Sequence, residues 1–547
     1  MLKINYHISV RVIIAHQCIH DELSSRISCY RAGSSVLIGP KGFQSIGLCD
    51  TYKRTPCTYI CKQEDVVSAE LIDFFNSQIL PNITEFFERY LTVNAPDHKV
   101  LRTIINCGEA YDIDLSRGFK GDFMFYVSAH PIVTNTESIA YSLTCASHAH
   151  NDAPYVGLIN LQPAYFQRFL NETARKSNLL VEWMQAYRIL LHEVTHSIGF
   201  SKKLFQFYIN RLTGKKYVNV TTKSTTNGLS PSGESFQYTS QSITTPSVRT
   251  VVANHFNCDE QNGAELENID NNSSGIVGSH WKSTKFGEEL MLTNTMPISP
   301  FTNLTLALLY DSGWYGLINL DKIESTNWGK GKGCYFANQT CSMSTWNYTG
   351  YWPAENNKVG CSASRSGMGM ASWTEHSRNL PVYQQHWSNS TIGGNGGAEF
   401  DYCPFSKTSI FCFDTSQSNS SNNFFDDRGD RHLCFDQIIN SNNSLDYIQM
   451  GCREYRCEVD GTLQVKVNQK WYSCQPNDRV VVNENITIVC PDEFDQTCGT
   501  SSFDIDTDTL SEPYSGYNSA ISSFNPKQTL TNNVIIVTLV YLLLYIF

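Results

Sequence analysis

The residues best suited to chemistry lie in the segment His192-Glu193-Val194-Thr195-His196. Side chains four residues apart on a helix differ by only about 40° in direction, so both imidazoles project to one side. Two neutral imidazole nitrogens on one face can bind a single Zn²⁺ ion. Glu193 then lies beside the metal, where it can take a proton from the attacking water and pass it to the leaving amine. The spacing therefore predicts a zinc hydrolase with Glu193 as its general base.

The same short pattern also occurs on surface helices that carry two histidines and an ion-paired glutamate. Here it lies in Leu180 to Phe200, where apolar residues recur every three or four positions and predict the best amphipathic helix in the chain. Ser177 or Asn178 is a candidate N-cap, and Gly199 can end the helix and redirect the chain. This setting favours the zinc site.

A catalytic zinc ion needs a third protein ligand. The most compact spacing of three-histidine sites would place a histidine at position 202, which is Lys202 here, so the third ligand lies further along. Spacing alone leaves several candidates open, although the small residues Gly278 and Ser279 before His280 allow a close approach. The candidates are His255, His280, Glu265, Glu267, Glu288 and Glu289.

Composition narrows the class of protein. The length of 547 residues predicts roughly two to four domains. Hydrophobic residues make up 41% of the chain and aromatic residues 12%, which is typical of a globular protein. The net charge of −11 argues against nucleic acid as a partner, because phosphate binding needs clustered lysine and arginine.

Nineteen cysteines are spread along the chain, and no two have the C-x-x-C spacing of zinc clusters. A reducing cytosol rarely maintains so many disulfides, so we expect passage through the secretory pathway. Because the number is odd, at least one thiol lacks a partner within the chain. N-glycosylation sequons support the same pathway; they begin at Asn82, Asn171, Asn219, Asn303, Asn338, Asn347, Asn389, Asn419 and Asn485.

The two ends suggest targeting segments. Residues 1–15 are a candidate signal peptide, a weak one because Arg11 interrupts the short apolar run; the alternative is a buried strand in a chain that starts further upstream. The uncharged tail Val534 to Phe547 would reach only about 21 Å as a helix, whereas a bilayer core needs about 30 Å. Such a tail after the polar stalk 501–533 favours a GPI-anchor signal, with small residues at 518–520 for attachment, over a retained tail anchor.

Three further elements are predicted from periodicity. Val66 to Thr92 has a helical apolar pattern with a kink at Pro81. Gly121 to Ser128 alternates like a strand, and Val156 to Leu161 is a short apolar strand. From residue 334 onward, frequent cysteines and turn residues predict a disulfide-rich domain that is mainly β or irregular.

Several segments together resemble leishmanolysin, the major surface metalloprotease family. The similarity runs from about residue 66 to about residue 500, and in it His280 precedes Met291 by eleven positions, as the family's third ligand precedes its Met-turn methionine. The segments that carry it are HEVTHSIGF at 192–200, GSHWKSTKFGEELM at 278–291, LALLYDSGWY at 306–315, FDYCPF at 400–405 and APYVGLINL at 153–161.

The resemblance implies an α+β fold: a metzincin-like catalytic domain with an active-site helix and a large insertion between Gly199 and His280. It implies that His280 completes a site for one catalytic zinc ion and that Met291 lies beneath the metal as an apolar base. It further implies protein or peptide substrates, paired as extended strands with the sheet edge at Gly121 to Ser128. The protein is expected outside the cell or at its surface.

The segment HQCIHD at 16–21 resembles the family's propeptide, in which a cysteine thiolate occupies the metal's open position. Cys18 would then be the unpaired thiol and the chain a latent zymogen; the alternative is that Cys18 forms an ordinary disulfide. The expected layout is a signal at 1–15, a propeptide at 16–40, catalytic subdomains at 41–200 and 201–315, a cysteine-rich domain at 316–500, a stalk at 501–533 and a tail at 534–547.

Three rival interpretations remain open at this point. A catalytically silent surface adhesin of the same fold would have no need of an intact Glu193. A zinc hydrolase could take its third ligand from Glu288 or Glu289. A structural, cysteine-rich coat protein would bind no stoichiometric zinc at all.

Overall fold

A computed structural model describes the parts of the chain from which the fold is built. The signal, Cys18, the stalk, the tail and the candidate N-cap residues 177 and 178 all lie outside them. The described residues are 28–38, 57–93, 104–106, 112–114, 122–132, 139–170, 179–268, 278–320, 323–341, 351–415, 426–429, 431–441, 444–458 and 461–491.

The first helical region is disturbed next to its proline. A π-helical turn, Phe75–Ile79, separates helix α1 (Ala69–Phe74) from helix α2 (Leu80–Tyr90). Pro81 lies in the first turn of α2, where its missing N–H costs least, and the wider turn before it absorbs the change in hydrogen bonding. The predicted helix is thus confirmed over residues 69–90, with the π-helical turn just before Pro81, and the kink itself stays a prediction.

The strands near this helix are short. They are the antiparallel pair β1 (Ser35–Ile38) and β2 (Cys57–Ile60), strand β3 (Leu91–Val93) and the antiparallel pair β4 (Ile104–Asn106) and β5 (Asp112–Asp114), and Gln63–Asp65 forms a 3₁₀ turn.

A three-stranded mixed sheet follows, in which β8 (Pro154–Leu161) lies between β6 (Met124–Ser128) and β7 (Ala140–Ser147). Strand β8 is buried along its whole length, as its apolar run predicted, and runs parallel to β6. Strand β7 pairs antiparallel with β8 and is only half-buried. The two predicted strands are confirmed with shifted starts, and β7 was not predicted. A short helix α3 (Pro163–Phe166) and the 3₁₀ turn Gln167–Phe169 continue the chain.

Helix α4 (Leu179–Ile198) matches the predicted amphipathic helix and packs against β7 and β8. Its apolar stripe, including Leu190, Leu191 and Val194, is buried in the main core. The helix ends before Gly199, where an added Cβ would lie 2.6 Å from Cδ2 of Leu309. A side chain at this position would therefore displace the buried side chain of Leu309.

The insertion after α4 is built around a long, mostly exposed polar hairpin. Its strands β11 (Thr221–Leu229) and β12 (Ser235–Ile243) pair antiparallel, and β12 also pairs with the short strand β13 (Ala264–Leu266) that leads toward His280. The other elements are the small hairpin β9 (Ile209–Asn210) and β10 (Lys215–Lys216), the 3₁₀ turn Phe205–Phe207 and helix α5 (Pro246–Phe256).

The segment after His280 returns to the C-terminal end of helix α4, where the Tyr315 hydroxyl donates to the Ile198 carbonyl at 2.8 Å. Helix α7 (Asn303–Asp311) begins at Thr302, whose hydroxyl accepts the Leu304 N–H at 3.2 Å, and it is buried over most of its length. One hydrophobic core extends from Val67 to Phe405, and the expected division of this region at residues 200 and 315 stays a prediction. The remaining elements here are α6 (Ser283–Phe286), β14 (Tyr315–Leu317), which pairs with β3, and α8 (Gly333–Asn338).

Beyond residue 341 the described elements are strands and short 3₁₀ turns. Six strands form one antiparallel sheet in the order β23-β22-β21-β20-β25-β24, with its own apolar core. The small sheets contain β15 (Lys358–Cys361), β16 (Gly367–Ala371), β17 (Trp373–Glu375), β18 (Ile392–Gly394) and β19 (Lys407–Phe411), with 3₁₀ turns at Val382–Gln384 and Ala398–Phe400. The large sheet contains β20 (His432–Ser441), β21 (Ser444–Cys457), β22 (Leu463–Val467), β23 (Lys470–Cys474), β24 (Arg479–Asn483) and β25 (Ile486–Val489).

Disulfides confirm the interpretation of the cysteines. Cys145 and Cys457 are disulfide-bonded too, in addition to six bridges between described residues. The six bridges are Cys29–Cys61, Cys258–Cys334, Cys341–Cys403, Cys361–Cys434, Cys412–Cys452 and Cys474–Cys490.

Candidate metal centre and active site

Three imidazoles converge at the C-terminal part of helix α4. His192 and His196 come from successive turns of the helix, and His280 comes from the segment beyond the insertion. The Nε2 atoms lie 3.0 Å apart for His192 and His196, and each lies 3.2 Å from Nε2 of His280. The structure thus brings together three of the metal-ligand candidates that the sequence nominated.

Backbone carbonyls fix the orientation of the two helix imidazoles. Nδ1 of His192 lies 2.8 Å from the carbonyl oxygen of Leu290, and Nδ1 of His196 lies 2.7 Å from that of Phe200. Because a carbonyl oxygen only accepts, each Nδ1 carries the proton and donates it. The Nε2 atom of each ring is then left with a lone pair that points at the other histidines.

The electrostatics of the cluster favour neutral imidazoles, the form that binds metal. Burial lowers the pKa of His192 well below its ordinary value, and the neighbouring His196 and His280 lower it further. Burial also lowers the pKa of His196 to about 4. In a tetrahedral zinc site with Zn–N distances of about 2.0–2.1 Å, ligand nitrogens lie about 3.3 Å apart. The donor set and its spacing therefore fit zinc.

His280 is held in place by a short antiparallel ladder. The Glu267 N–H donates to the His280 carbonyl at 2.8 Å, and Leu266 forms an isolated bridge with Trp281. Before it, Gly278 has a φ of +79°, and the stem of Lys202 covers the space where a side chain would be. The chain can therefore turn sharply beside the end of α4 and carry His280 to the other two histidines.

The other third-ligand candidates already have bonding partners elsewhere in the fold. Burial lowers the pKa of His255 to about 4 and raises those of Glu288 and Glu289 to about 7, as expected for groups desolvated in a protein interior. Their partners are the Trp328 carbonyl for His255, the Tyr238 hydroxyl for Glu265, the Lys282 ammonium for Glu267, the Ser364 hydroxyl for Glu288, and the Thr305 hydroxyl with the Met291 N–H for Glu289.

Met291 is completely buried, and hydrogen bonds of its own main chain and of its neighbour Leu290 connect this segment to Trp281 and to His192. Its carbonyl accepts the Trp281 N–H at 2.9 Å, and its neighbour Leu290 holds His192. Its own N–H donates to Glu289, a fully buried carboxylate that also accepts from Thr305 at 2.6 Å. The turn at Met291 is therefore fixed on several sides.

Glu193 follows His192 on helix α4, and its main chain contacts strand β7. The Ser142 hydroxyl donates to the Glu193 main-chain carbonyl, and one turn further along Thr144 donates to the Ser197 carbonyl at 2.8 Å. Burial raises the pKa of Glu193 to about 8, and hydrogen bonding with Ser142 opposes that rise. A partly buried carboxylate with a raised pKa is chemically able to carry a proton.

The predicted substrate strand is an edge of the sheet, but the sheet has two outer strands, so its pairing with substrate stays a prediction. The strand predicted at 121–128 is β6, which lies at the far edge of the sheet from β7. The edge strand joined to the active-site helix is β7, through Ser142 and Thr144. Sequence analysis missed β7, although apolar Tyr141, Leu143 and Cys145 alternate there with the two polar residues.

The cysteine switch cannot be located, because Cys18 lies outside the described residues. One alternative for it is excluded: Cys29 is bonded to Cys61 and so is not the partner of Cys18. Among the described helices, none combines the length and the apolar character needed to cross a bilayer.

Comparison with known proteins gives consistent matches over most of the chain. The family model described as leishmanolysin, peptidase M8, matches residues 47–501. A leishmanolysin homolog of Crithidia fasciculata is 29% identical over 63% of this chain and 48% of its own length. A leishmanolysin-like peptidase of Drosophila melanogaster is 27% identical over 65% of this chain and 59% of its own length. Leishmanolysin of Leishmania tropica is 23% identical over 79% of this chain and 64% of its own length. The aligned part of the chain thus spans about half to two thirds of these relatives.

Proposed function

Because the chain belongs to the leishmanolysin family of metallopeptidases, we propose that it is a zinc-dependent endopeptidase acting on proteins or peptides. His192, His196 and His280 hold the metal through Nε2. The observation that carries the proposal is the convergence of these three nitrogens, with Nδ1 of His192 and of His196 engaged by backbone carbonyls. When bound there, zinc lowers the pKa of a water ligand to about 7 and polarises the scissile carbonyl.

The chain's own groups supply the remaining chemistry. Glu193 accepts the proton of the attacking water and returns it to the leaving amine. Strand β7 offers its outer edge to an extended peptide, since among the described strands it pairs only with β8. Its bonds to helix α4 keep that edge in register with Glu193. Met291 provides a rigid apolar floor behind the histidines, and it is not a ligand.

The test uses the purified full-length chain. Zinc content is measured by elemental analysis, and hydrolysis of denatured protein is followed with and without a zinc chelator. We expect about one zinc ion per chain, loss of hydrolysis with the chelator and recovery on adding zinc. Hydrolysis that persists after complete removal of metal would contradict the proposal, and zinc without any hydrolysis would favour the silent adhesin.

Latency and surface display are the finer parts of the proposal. Disulfides at fourteen described cysteines support an oxidising compartment. Cys18 is proposed to hold the zymogen inactive by occupying the metal's open position, so Cys18→Ser should make the uncleaved chain active. A Cys18→Ser chain as silent as the parent would argue for steric blocking. For the tail, the intact mass of the mature protein should lack Val534 to Phe547 if a GPI anchor replaces it.

A further inference from the structure

A buried cluster of charges is centred on Lys282, two residues after His280 in the chain. Lys282 is only 1% exposed, and its Nζ lies 2.9 Å from Oε1 of Glu267 and 2.7 Å from Oδ1 of Asp401. Asn268 adds a third contact at 3.4 Å. A buried ammonium so surrounded must keep its partners, because an isolated charge in a protein interior is strongly unfavourable.

Both acidic partners are themselves tied to structural features. The N–H of Glu267 donates to the His280 carbonyl, and its carboxylate accepts from Lys282. Main chain and side chain of Glu267 therefore both bind the segment 280–282. Asp401 lies in the FDYCPF segment and has a left-handed conformation with a φ of +51°. Its carboxylate also accepts from Gln384 at 3.0 Å.

The turn that carries Asp401 is fixed by further bonds. His386 donates to the Asp401 carbonyl at 2.7 Å, and Cys403, two residues later, is bonded to Cys341. A continuous set of contacts therefore connects this disulfide, through Asp401 and Lys282, to the segment of His280. Both carboxylates lie at ion-pair distance from the buried ammonium, so Lys282 is paired with Glu267 and Asp401.

We propose that Lys282, clamped between Glu267 and Asp401, is a positioning residue for His280, so that the cysteine-rich region sets the metal affinity of the three-histidine site. This inference rests on the proposed function, in which His280 is a zinc ligand. Groups that orient a ligand from behind are commonly worth about 10- to 100-fold in metal affinity. A purely structural ion cluster would change stability and leave the affinity alone.

Lys285 offers a matched control. It is a second buried lysine on the same short stretch, but its Nζ donates to the neutral Gln339 carbonyl at 2.6 Å and makes no ion pair with Glu267 or Asp401. Lys282→Met and Lys285→Met remove the same group from comparable depth. If Lys282→Met does not fold, Asp401→Asn serves in its place, because it leaves Lys282 paired with Glu267.

The experiment measures the zinc dissociation constant of the full-length chain by chelator competition, and the visible spectrum after substitution with Co²⁺. We expect Lys282→Met to weaken zinc binding at least about 10-fold and to alter the cobalt spectrum. Asp401→Asn should weaken binding by about 3-fold or more, since one charged partner remains. Lys285→Met should keep the wild-type affinity and spectrum, whatever its thermal midpoint.

Two failures can be told apart. If wild type binds zinc and His280→Ala does not, but Lys282→Met and Asp401→Asn keep the wild-type affinity and spectrum, the positioning role is wrong and the proposed function stands. If wild type binds no zinc, or His280→Ala binds it fully, the proposed metal site itself is wrong.

Discussion

Among the described residues, two clusters bring side chains of metal-ligand types within 4.8 Å of one another, and they differ in the lone pairs that they leave for a metal. In the three-histidine cluster, carbonyls engage Nδ1 of His192 and His196, which leaves Nε2 free to coordinate. In the second cluster, Cys341 and Cys403 are joined as a disulfide, and Nε2 of His386 is the atom that donates to the Asp401 carbonyl.

The difference lies in lone pairs, not in residue types or distances. Nε2 of His386 also faces Sγ of Cys403 at 3.7 Å, but it carries the proton, and a disulfide sulfur is not a thiolate. The second cluster therefore stabilises the fold through a disulfide and a hydrogen bond, and it offers no ligand atom to a metal. In the first cluster, backbone carbonyls accept the Nδ1 proton of each helix imidazole, so the lone pair of each Nε2 is left for a metal.

The strongest way to break this comparison is to remove one histidine from each cluster. His280→Ala should lose zinc and all measurable peptidase activity, because two helix imidazoles alone bind zinc weakly. His386→Ala should keep one zinc ion per chain. The measurement is zinc content after gel filtration together with peptide hydrolysis. Full zinc in His280→Ala, or less than one zinc ion per chain in His386→Ala at saturating zinc, would contradict the assignment of the two clusters.

The second prediction separates binding from proton transfer at the three-histidine cluster. Glu193→Gln keeps the size of the side chain but removes the base, so hydrolysis should fall by about 10²–10⁴-fold while zinc stays bound. The same zinc and activity assays apply. Residual turnover within tenfold of wild type would mean that another group moves the proton.

How much of this arrangement the sequence could predict depends on the range of the interactions. The pair on α4 follows from a local period of 3.6 residues, so His192, Glu193 and His196 were predictable from spacing alone. The choice of His280 among six candidates was not, because it depends on the pairing of Glu267 and Leu266 with the segment around His280. The family resemblance supplied that choice where the local chemistry could not.

Two other features show the same limit. The carbonyls of Leu290 and Phe200 select the coordinating nitrogens, yet a carbonyl leaves no mark in a sequence. Strand β7 does leave one, an alternation of apolar and polar residues, but its apolar side faces away from α4 and its polar side bonds to the helix backbone. A pattern that usually marks the core-facing side of a strand has a different meaning here.

The third prediction concerns the second cluster. The double change Cys341→Ser with Cys403→Ser should lower the free energy of unfolding by about 2–5 kcal/mol, the usual cost of losing a native disulfide. At saturating zinc the chain should still bind one ion, because neither sulfur is a ligand. Thermal unfolding and zinc stoichiometry measured on the same samples check this. A second zinc ion in the wild type, lost in the double variant, would show that the cluster is a metal site.

The smallest expected effect lies at the bond between strand β7 and the helix carbonyl of Glu193. Ser142→Ala removes that hydrogen bond, which is worth about 0.5–1.5 kcal/mol, and lets the substrate edge move relative to Glu193. Since 1.4 kcal/mol corresponds to a factor of about ten, kcat/KM should fall by roughly two- to tenfold with zinc content unchanged. Thr144→Val is the matched control, because it removes the equivalent bond to Ser197 one turn further along, away from Glu193. Thr144→Val should cost similar stability but change kcat/KM less than about twofold. If both variants lose the same activity, the two bonds serve only to fasten the sheet to the helix, and the backbone anchoring that distinguishes the three-histidine cluster does not extend to Glu193.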